Sequence, residues 1–265
     1  MNDIAIKVQG LGKRYQLGEI GSSFALGSLR ETIASFGNKR NPQVIVENES
    51  EFIWALDDLN FEVSKGERIG IIGKNGSGKS TLLKILAGIT PPSRGEVKIK
   101  GRVSALLEVG TGFHAELTGR ENVFLNGAIL GLTRAEILQK FDEIVNFSGV
   151  ERFIDTPVKR YSSGMVVRLA FAVAAYLQSD VLLVDEVLAV GDAEFRKKCL
   201  GRMESASALG RTVIFVSHNM TMINQLCERG IYLESGRALE IGPISSVVES
   251  YMAHSGSNEK EIKYP

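Results

Sequence analysis

The sequence predicts an α/β fold: a mainly parallel sheet packed between helices, with a helical subdomain inserted into it. Three observations carry this. The runs at 69–72, 181–184 and 213–216 are continuously apolar, the pattern of strands buried on both faces. A glycine-rich loop follows the first run and leads straight into a helical pattern. Between residues 113 and 178 the hydrophobic period changes from 2 to 3.6.

The elements follow in chain order. Ile4, Ile6 and Val8 alternate with Ala5, Lys7 and Gln9, as a half-buried strand does. Leu59, Phe61 and Val63 repeat the alternation before Gly66, and Val97 and Ile99 do so between Gly95 and Gly101. Thr118-x-x-Glu121 and Thr133-x-x-Glu136 have capping-box spacing and mark two helix starts. After the second, Ile137, Leu138, Phe141, Ile144 and Val145 line one helical face. A third helix, about 165–177, is apolar nearly all round and is expected to be buried. Residues 231–234 and 238–241 flank Ser235-Gly236 as a terminal hairpin.

One segment, 16–53, is an insertion of its own. Within it Ser28-x-x-Glu31 has capping-box spacing, Leu26, Leu29, Ile33 and Phe36 share a stripe, and Gly37 is a stop. That describes a short amphipathic helix with Arg30 on its polar side. Its stripe either packs on the protein's own sheet or faces outward to another surface.

Composition narrows the classes of function. The chain has 265 residues with 31 Lys+Arg against 31 Asp+Glu, and this zero balance argues against a nucleic-acid partner. At 44% hydrophobic it can bury a large core, which excludes disorder throughout; only the polar tail from Ser255 reads as disordered. Cys199 and Cys227 are too few for a disulfide framework or a zinc site and fit a reducing compartment. No signal peptide is recognisable, and the most apolar stretch, 165–177, is interrupted by Arg168 and falls short of the ~18 residues a membrane helix needs. The expectation is a cytoplasmic protein that acts on a membrane only through another chain.

Gly73-Lys74-Asn75-Gly76-Ser77-Gly78-Lys79-Ser80 matches G-x-x-x-x-G-K-[ST] between a buried strand and a helical run beginning at Thr81. Small residues let successive N–H groups surround an anion, and the helix start adds its positive end. Lys79 is placed on the β- and γ-phosphates and the Ser80 hydroxyl on Mg²⁺, with Thr81 completing the nucleotide-binding set. At the end of the 181–184 run, Asp185 is positioned to hold Mg²⁺ and Glu186 to polarise the attacking water. His218, after the 213–216 run and Ser217, is placed to meet a γ-phosphate, whereas His114 and His254 fall in loop and tail.

Tyr161-Ser162-Ser163-Gly164-Met165, between phosphate loop and Asp185, resembles the signature motif of ABC-type ATPases. The resemblance covers residues 4 to 243, with His218 as switch histidine, Asp192 as D-loop aspartate and Tyr15 as the aromatic stacked on adenine, Trp54 and Phe52 being alternatives. Where the family carries a glutamine that reaches Mg²⁺, this chain has Glu108. The segments 117–122 (LTGREN) and 186–193 (EVLAVGDA) are similar to those of the subgroup exporting O-antigen, capsule and teichoic acid. The resemblance implies a P-loop ABC-type ATPase with a mainly parallel core sheet, an antiparallel β subdomain and an inserted helical subdomain. It places the ATPase domain at 1–243, its helical part at about 113–178, and a C-terminal helix and polar tail at 244–265.

It further implies ATP and Mg²⁺, a homodimer in which Ser162, Ser163 and Gly164 of one protomer complete the other's site, and an integral membrane permease as partner. The transported substrate is then a lipid-linked polysaccharide, and the protein sits peripherally on the cytoplasmic face of the bacterial inner membrane. Some of that subgroup carry a sugar-binding β-sandwich after the ATPase, and the 14 residues after Tyr251 are too few for one. A soluble ABC-type ATPase of DNA repair or translation would need long coiled coils or a second ATPase domain. A small-molecule kinase leaves the signature unexplained, and a GTPase would need an Asn-Lys-x-Asp motif that the sequence lacks.

Overall fold

The computed structural model describes residues 3–16, 52–106, 112–176, 179–185, 194–195, 197–199, 201–202, 210–217 and 219–256. Strands β1 (Ile4–Gln16), β2 (Phe52–Ser64) and β4 (Arg94–Ile99) form an antiparallel sheet in the order β2-β1-β4. The second sheet holds β3 (Arg68–Ile72), β5 (Val103–Leu106), β6 (Val181–Val184), β7 (Thr212–Val216), β8 (Arg229–Glu234) and β9 (Arg237–Pro243). Its order is β5-β6-β7-β3-β8-β9, parallel except for the last pair.

The apolar runs are continuous because the second sheet separates two cores. Ile69, Ile71, Leu183, Ile214 and Val216 point into one, with α1 (Lys79–Leu86) and the first sheet. Ile72, Leu182, Val184, Val213 and Phe215 alternate with them and point into the other. That second core contains helices α2 (Gly119–Ile129), α3 (Arg134–Ser148), α4 (Ser163–Ala175), α5 (Met220–Leu226) and α6 (Ile244–Gly256). Buried on both faces, these strands cannot alternate polar and apolar residues.

Both capping boxes form. Glu121 N donates to Thr118 Oγ1 at 3.2 Å while Thr118 N donates to Glu121 Oε2 at 2.8 Å; the pair Thr133 and Glu136 repeats this at 3.3 and 2.7 Å. The Thr118 N–H and hydroxyl donating to Glu121, and the Thr133 hydroxyl and N–H donating to Glu136, lower the pKa of both carboxyls from its ordinary value. The hairpin turns on Ser235 and Gly236, both left-handed at φ 49° and 79°, the two-residue geometry that follows the twist of the strands.

Three expectations change. Leu138 is 58% exposed, whereas Ile137, Phe141, Ile144 and Val145 are buried; at 100° per residue it lies at the outer edge of their stripe. The third helix runs Ser163–Ala175, and only its 169–175 half is fully buried, because its first turn opens to solvent. His254 belongs to α6 rather than to a tail: its ring packs 5.9 Å from that of Tyr232 and its Nδ1 is 2.8 Å from Ser250 O. The helix expected around 28–37 lies outside the described residues. Both cysteines are buried and free, and desolvation pushes their thiols up to about 12. Among the described residues no helix is long and apolar enough to cross a membrane.

Candidate nucleotide site

Strand β3 lies between β7 and β8, and the parallel strands deliver their carboxyl ends to one edge of the sheet. A crevice there is where open α/β sheets bind ligands. The chain leaves β3 at Ile72, turns through the glycine-rich loop and enters α1 at Lys79. Gly78 (φ 106°) is the N-cap of that helix, and a Cβ there would collide with the Ala55 carbonyl of the first sheet. Only glycine allows this approach.

Lys79 is 7% exposed, and its ammonium arches back to donate to Gly73 O at 2.7 Å and Lys74 O at 2.9 Å. Ser77 braces the loop from within, donating its N–H to Lys74 O at 3.1 Å and accepting from Gly236 N at 3.1 Å. Its buried Oγ has no hydrogen-bond partner among the described residues.

A cavity of about 500 Å³ opens at this edge. Tyr15 and Ala55 line it from the first sheet, Asn75, Gly76, Gly78, Lys79, Ser80 and Thr81 from loop and helix, and Asp185 and Val216 from the ends of β6 and β7. One side therefore carries an aromatic ring and the other the glycine-rich loop with the Lys79 side chain. Tyr15 is 44% exposed, with Lys13 Nζ 5.3 Å from its ring centre. Trp54 and Phe52 do not line the cavity, and the guanidiniums of Arg94 and Arg14 lie over their rings at 4.6 and 4.5 Å. Ser80 and Asp185 share the cavity, and a hydroxyl with a carboxylate suits a hard cation such as Mg²⁺, which takes few protein ligands beside phosphate and water. Gly73, Lys74 and Ser77 support the loop without lining the cavity.

Ser162, Ser163 and Gly164 open α4 and are not among the lining residues. Ser162 caps the helix, its Oγ accepting from Met165 N at 3.3 Å, and the start of the helix is accessible to solvent. The expectations for Glu108, Glu186, Asp192 and His218 lie outside the described residues.

Sequence reasoning missed the structural part played by Asn122. Fully buried, it donates Nδ2–H bonds to the carbonyls of His114, Leu117 and Thr118 at 2.9–3.1 Å, and its Oδ1 accepts from His114 N at 2.7 Å. The loop so held pairs with the segment before α4, through Val158 N to Leu117 O (2.9 Å) and Lys159 N to Ala115 O (2.8 Å). Asn122→Ala removes the acceptor of His114 N and a second donor from the carbonyls of His114, Leu117 and Thr118, which keep their backbone partners, and is expected to cost about 1–3 kcal/mol of stability, read by urea unfolding. An unchanged midpoint would show that water replaces the amide without loss.

The model of the ABC transporter family matches residues 56–189. The chain belongs to that family. The O-antigen export system ATP-binding protein RfbB of Klebsiella pneumoniae is 46% identical over 197 residues, 74% of this chain and 80% of that protein. The protein of the same name from Myxococcus xanthus is 46% identical over 203 residues, 77% of this chain and 46% of that one. The teichoic acids export ATP-binding protein TagH of Bacillus cereus is 42% identical over 207 residues, 78% of this chain and 38% of that one. The chain thus spans less than half the length of the last two. By fold the cassette is similar to a dimeric ATP-binding cassette solved in a post-hydrolysis state with ADP and Pi, with a TM-score of 0.69 and 23% identity over 90% of this chain and 98% of that one. The fold is that of an ABC-type ATPase, with the antiparallel sheet, the mainly parallel sheet and the helical insertion all present.

Proposed function

We propose that the chain is the ATP-binding and ATP-hydrolysing subunit of a transporter that exports a lipid-linked surface polysaccharide of O-antigen type across the bacterial inner membrane. The observation that carries polymer export is the 46% identity to the Klebsiella pneumoniae O-antigen export protein, over most of both chains. Similarity to the teichoic acid export protein favours one alternative, a polyol-phosphate polymer as cargo.

In this reading the adenine stacks on Tyr15 and the phosphates lie in the loop, with Lys79 on the β- and γ-phosphates. Ser80 and Asp185, with Glu108 through water, would hold Mg²⁺, which would supply charge neutralisation at the phosphates. Glu186 orients and polarises the attacking water, and His218 contacts the γ-phosphate. Ser162, Ser163 and Gly164 present a capped helix start to the nucleotide of a second protomer, with Asp192 at the same interface. Such a pair is two-fold symmetric and has two sites. ATP favours the closed pair and hydrolysis releases it, a population shift that an integral membrane permease converts into transport. The cassette domain is 1–243, with its helical part at about 113–178 and an insertion at 16–53; residues 244–265 follow as a C-terminal helix and tail. The subunit is placed peripherally on the cytoplasmic face of the membrane.

Deleting the gene from its host is expected to trap lipid-linked polymer inside the cell, with export restored by the wild-type gene and not by one carrying Lys79→Ala. Analysis of the trapped polymer separates a glycan from a polyol phosphate. Unchanged surface polymer after deletion would overturn the export reading.

A further inference from the structure

The cavity straddles a seam between two sheets, with Tyr15 and Ala55 on one side and the phosphate loop and Asp185 on the other. A ligand held at both ends requires that seam to keep one width. At the seam the turn of the β8–β9 hairpin is wedged between β2 and the phosphate loop. Asp57 N donates to Gly236 O at 2.8 Å, and Gly236 N in turn donates to Ser77 O at 3.1 Å. A Cβ on Gly236 would lie 2.8 Å from Ala55 O, so a side chain there would push the turn out.

The Asp57 carboxylate closes the seam from outside. It is 18% exposed, and its Oδ2 accepts from Arg237 Nε on β9 at 2.9 Å while its Oδ1 accepts from Arg94 Nη2 on β4. One carboxylate therefore joins β2, β4 and β9, and so joins the sheet bearing Tyr15 to the hairpin that touches the phosphate loop. Neither Asp57 nor Arg237 is among the residues lining the cavity.

We infer that Asp57 and Arg237 are positioning residues for the nucleotide, setting the distance between Tyr15 and the phosphate loop by tying the first sheet to the β8–β9 hairpin. The inference rests on the nucleotide reading of the cavity. Arg237 is 69% exposed, so its ion pair adds little to overall stability. Its effect is geometric instead. The contact from Gly236 to Ser77 is backbone only, so losing the Arg237 side chain loosens the seam and leaves the loop braced. A ligand that needs both walls must then suffer more than one that needs only the loop.

The test compares ATP with tripolyphosphate, each with Mg²⁺, by calorimetry on the full chain. For Arg237→Ala and Asp57→Asn, ATP is expected to bind about fivefold to tenfold more weakly and tripolyphosphate within about twofold of wild type, since misplacing one wall acts only on a ligand that touches it. Arg237→Lys keeps the charge and should recover part of the ATP affinity. The thermal midpoint of Arg237→Ala should stay close to that of wild type. Equal losses for both ligands would mean that the loop itself is damaged and would overturn the inference, as would unchanged ATP affinity. Failure of the wild-type chain to bind ATP would overturn the nucleotide reading and the inference with it.

Discussion

Lys79→Ala is expected to weaken ATP binding by about 10²-fold or more and to abolish hydrolysis, because it removes a cation with three donors from the phosphate wall. Two charge-assisted hydrogen bonds at ~1.5–3 kcal/mol each are enough for such a loss. The same change acts on the empty protein, since the ammonium now satisfies Gly73 O and Lys74 O across the loop. Thermal unfolding separates the two effects. Without nucleotide, a small fall in midpoint reports the loosened loop. With nucleotide at about 100 times its Kd, wild type should gain ~2.7 kcal/mol and the variant almost nothing. Hydrolysis near the wild-type rate would remove Lys79 from the phosphate site.

Features written in local sequence were legible, and those made by distant residues were not. The apolar runs that became β3, β6 and β7 could be read because strands buried on both faces have no polar side to show. Thr118 and Glu121, like Thr133 and Glu136, sit three residues apart, so one turn of backbone decides their bonds. The phosphate loop is legible for the same reason, its glycines and Lys79 being contiguous. Leu138 failed because apolar identity does not tell the centre of a stripe from its edge. That Tyr15 lines the cavity while guanidiniums lie over the Trp54 and Phe52 rings was not legible, since Arg94 is 40 positions from Trp54 along the chain. Asp57 joins Arg94 and Arg237, which are 37 and 180 residues away, and no period or motif encodes such a meeting. The signature residues were legible as a motif, while their separation from the cavity of the same chain was visible only once α4 was placed.

That separation shapes the second large expectation. If the signature of one protomer completes the site of another, a variant that binds ATP without hydrolysing it should accumulate as a pair. Asp185 lines the cavity at the end of β6, its backbone N–H donating to Leu106 O at 3.3 Å, and Glu186 follows directly in the chain. Glu186→Gln keeps the size and hydrogen-bonding capacity of the side chain but removes the carboxylate that would take a proton from the attacking water. Turnover is expected to fall by ~10²–10⁴-fold, the range for losing a general base. ATP affinity should hold, since Lys79, Ser80 and the loop amides are untouched. Lys79→Ala should fail at binding and Glu186→Gln only at chemistry. Size-exclusion chromatography with Mg-ATP should then show a dimer for Glu186→Gln and a monomer for Lys79→Ala. A Glu186→Gln chain that binds ATP and stays monomeric would refute the shared site, because closure of the pair requires nothing of Glu186 beyond its failure to hydrolyse.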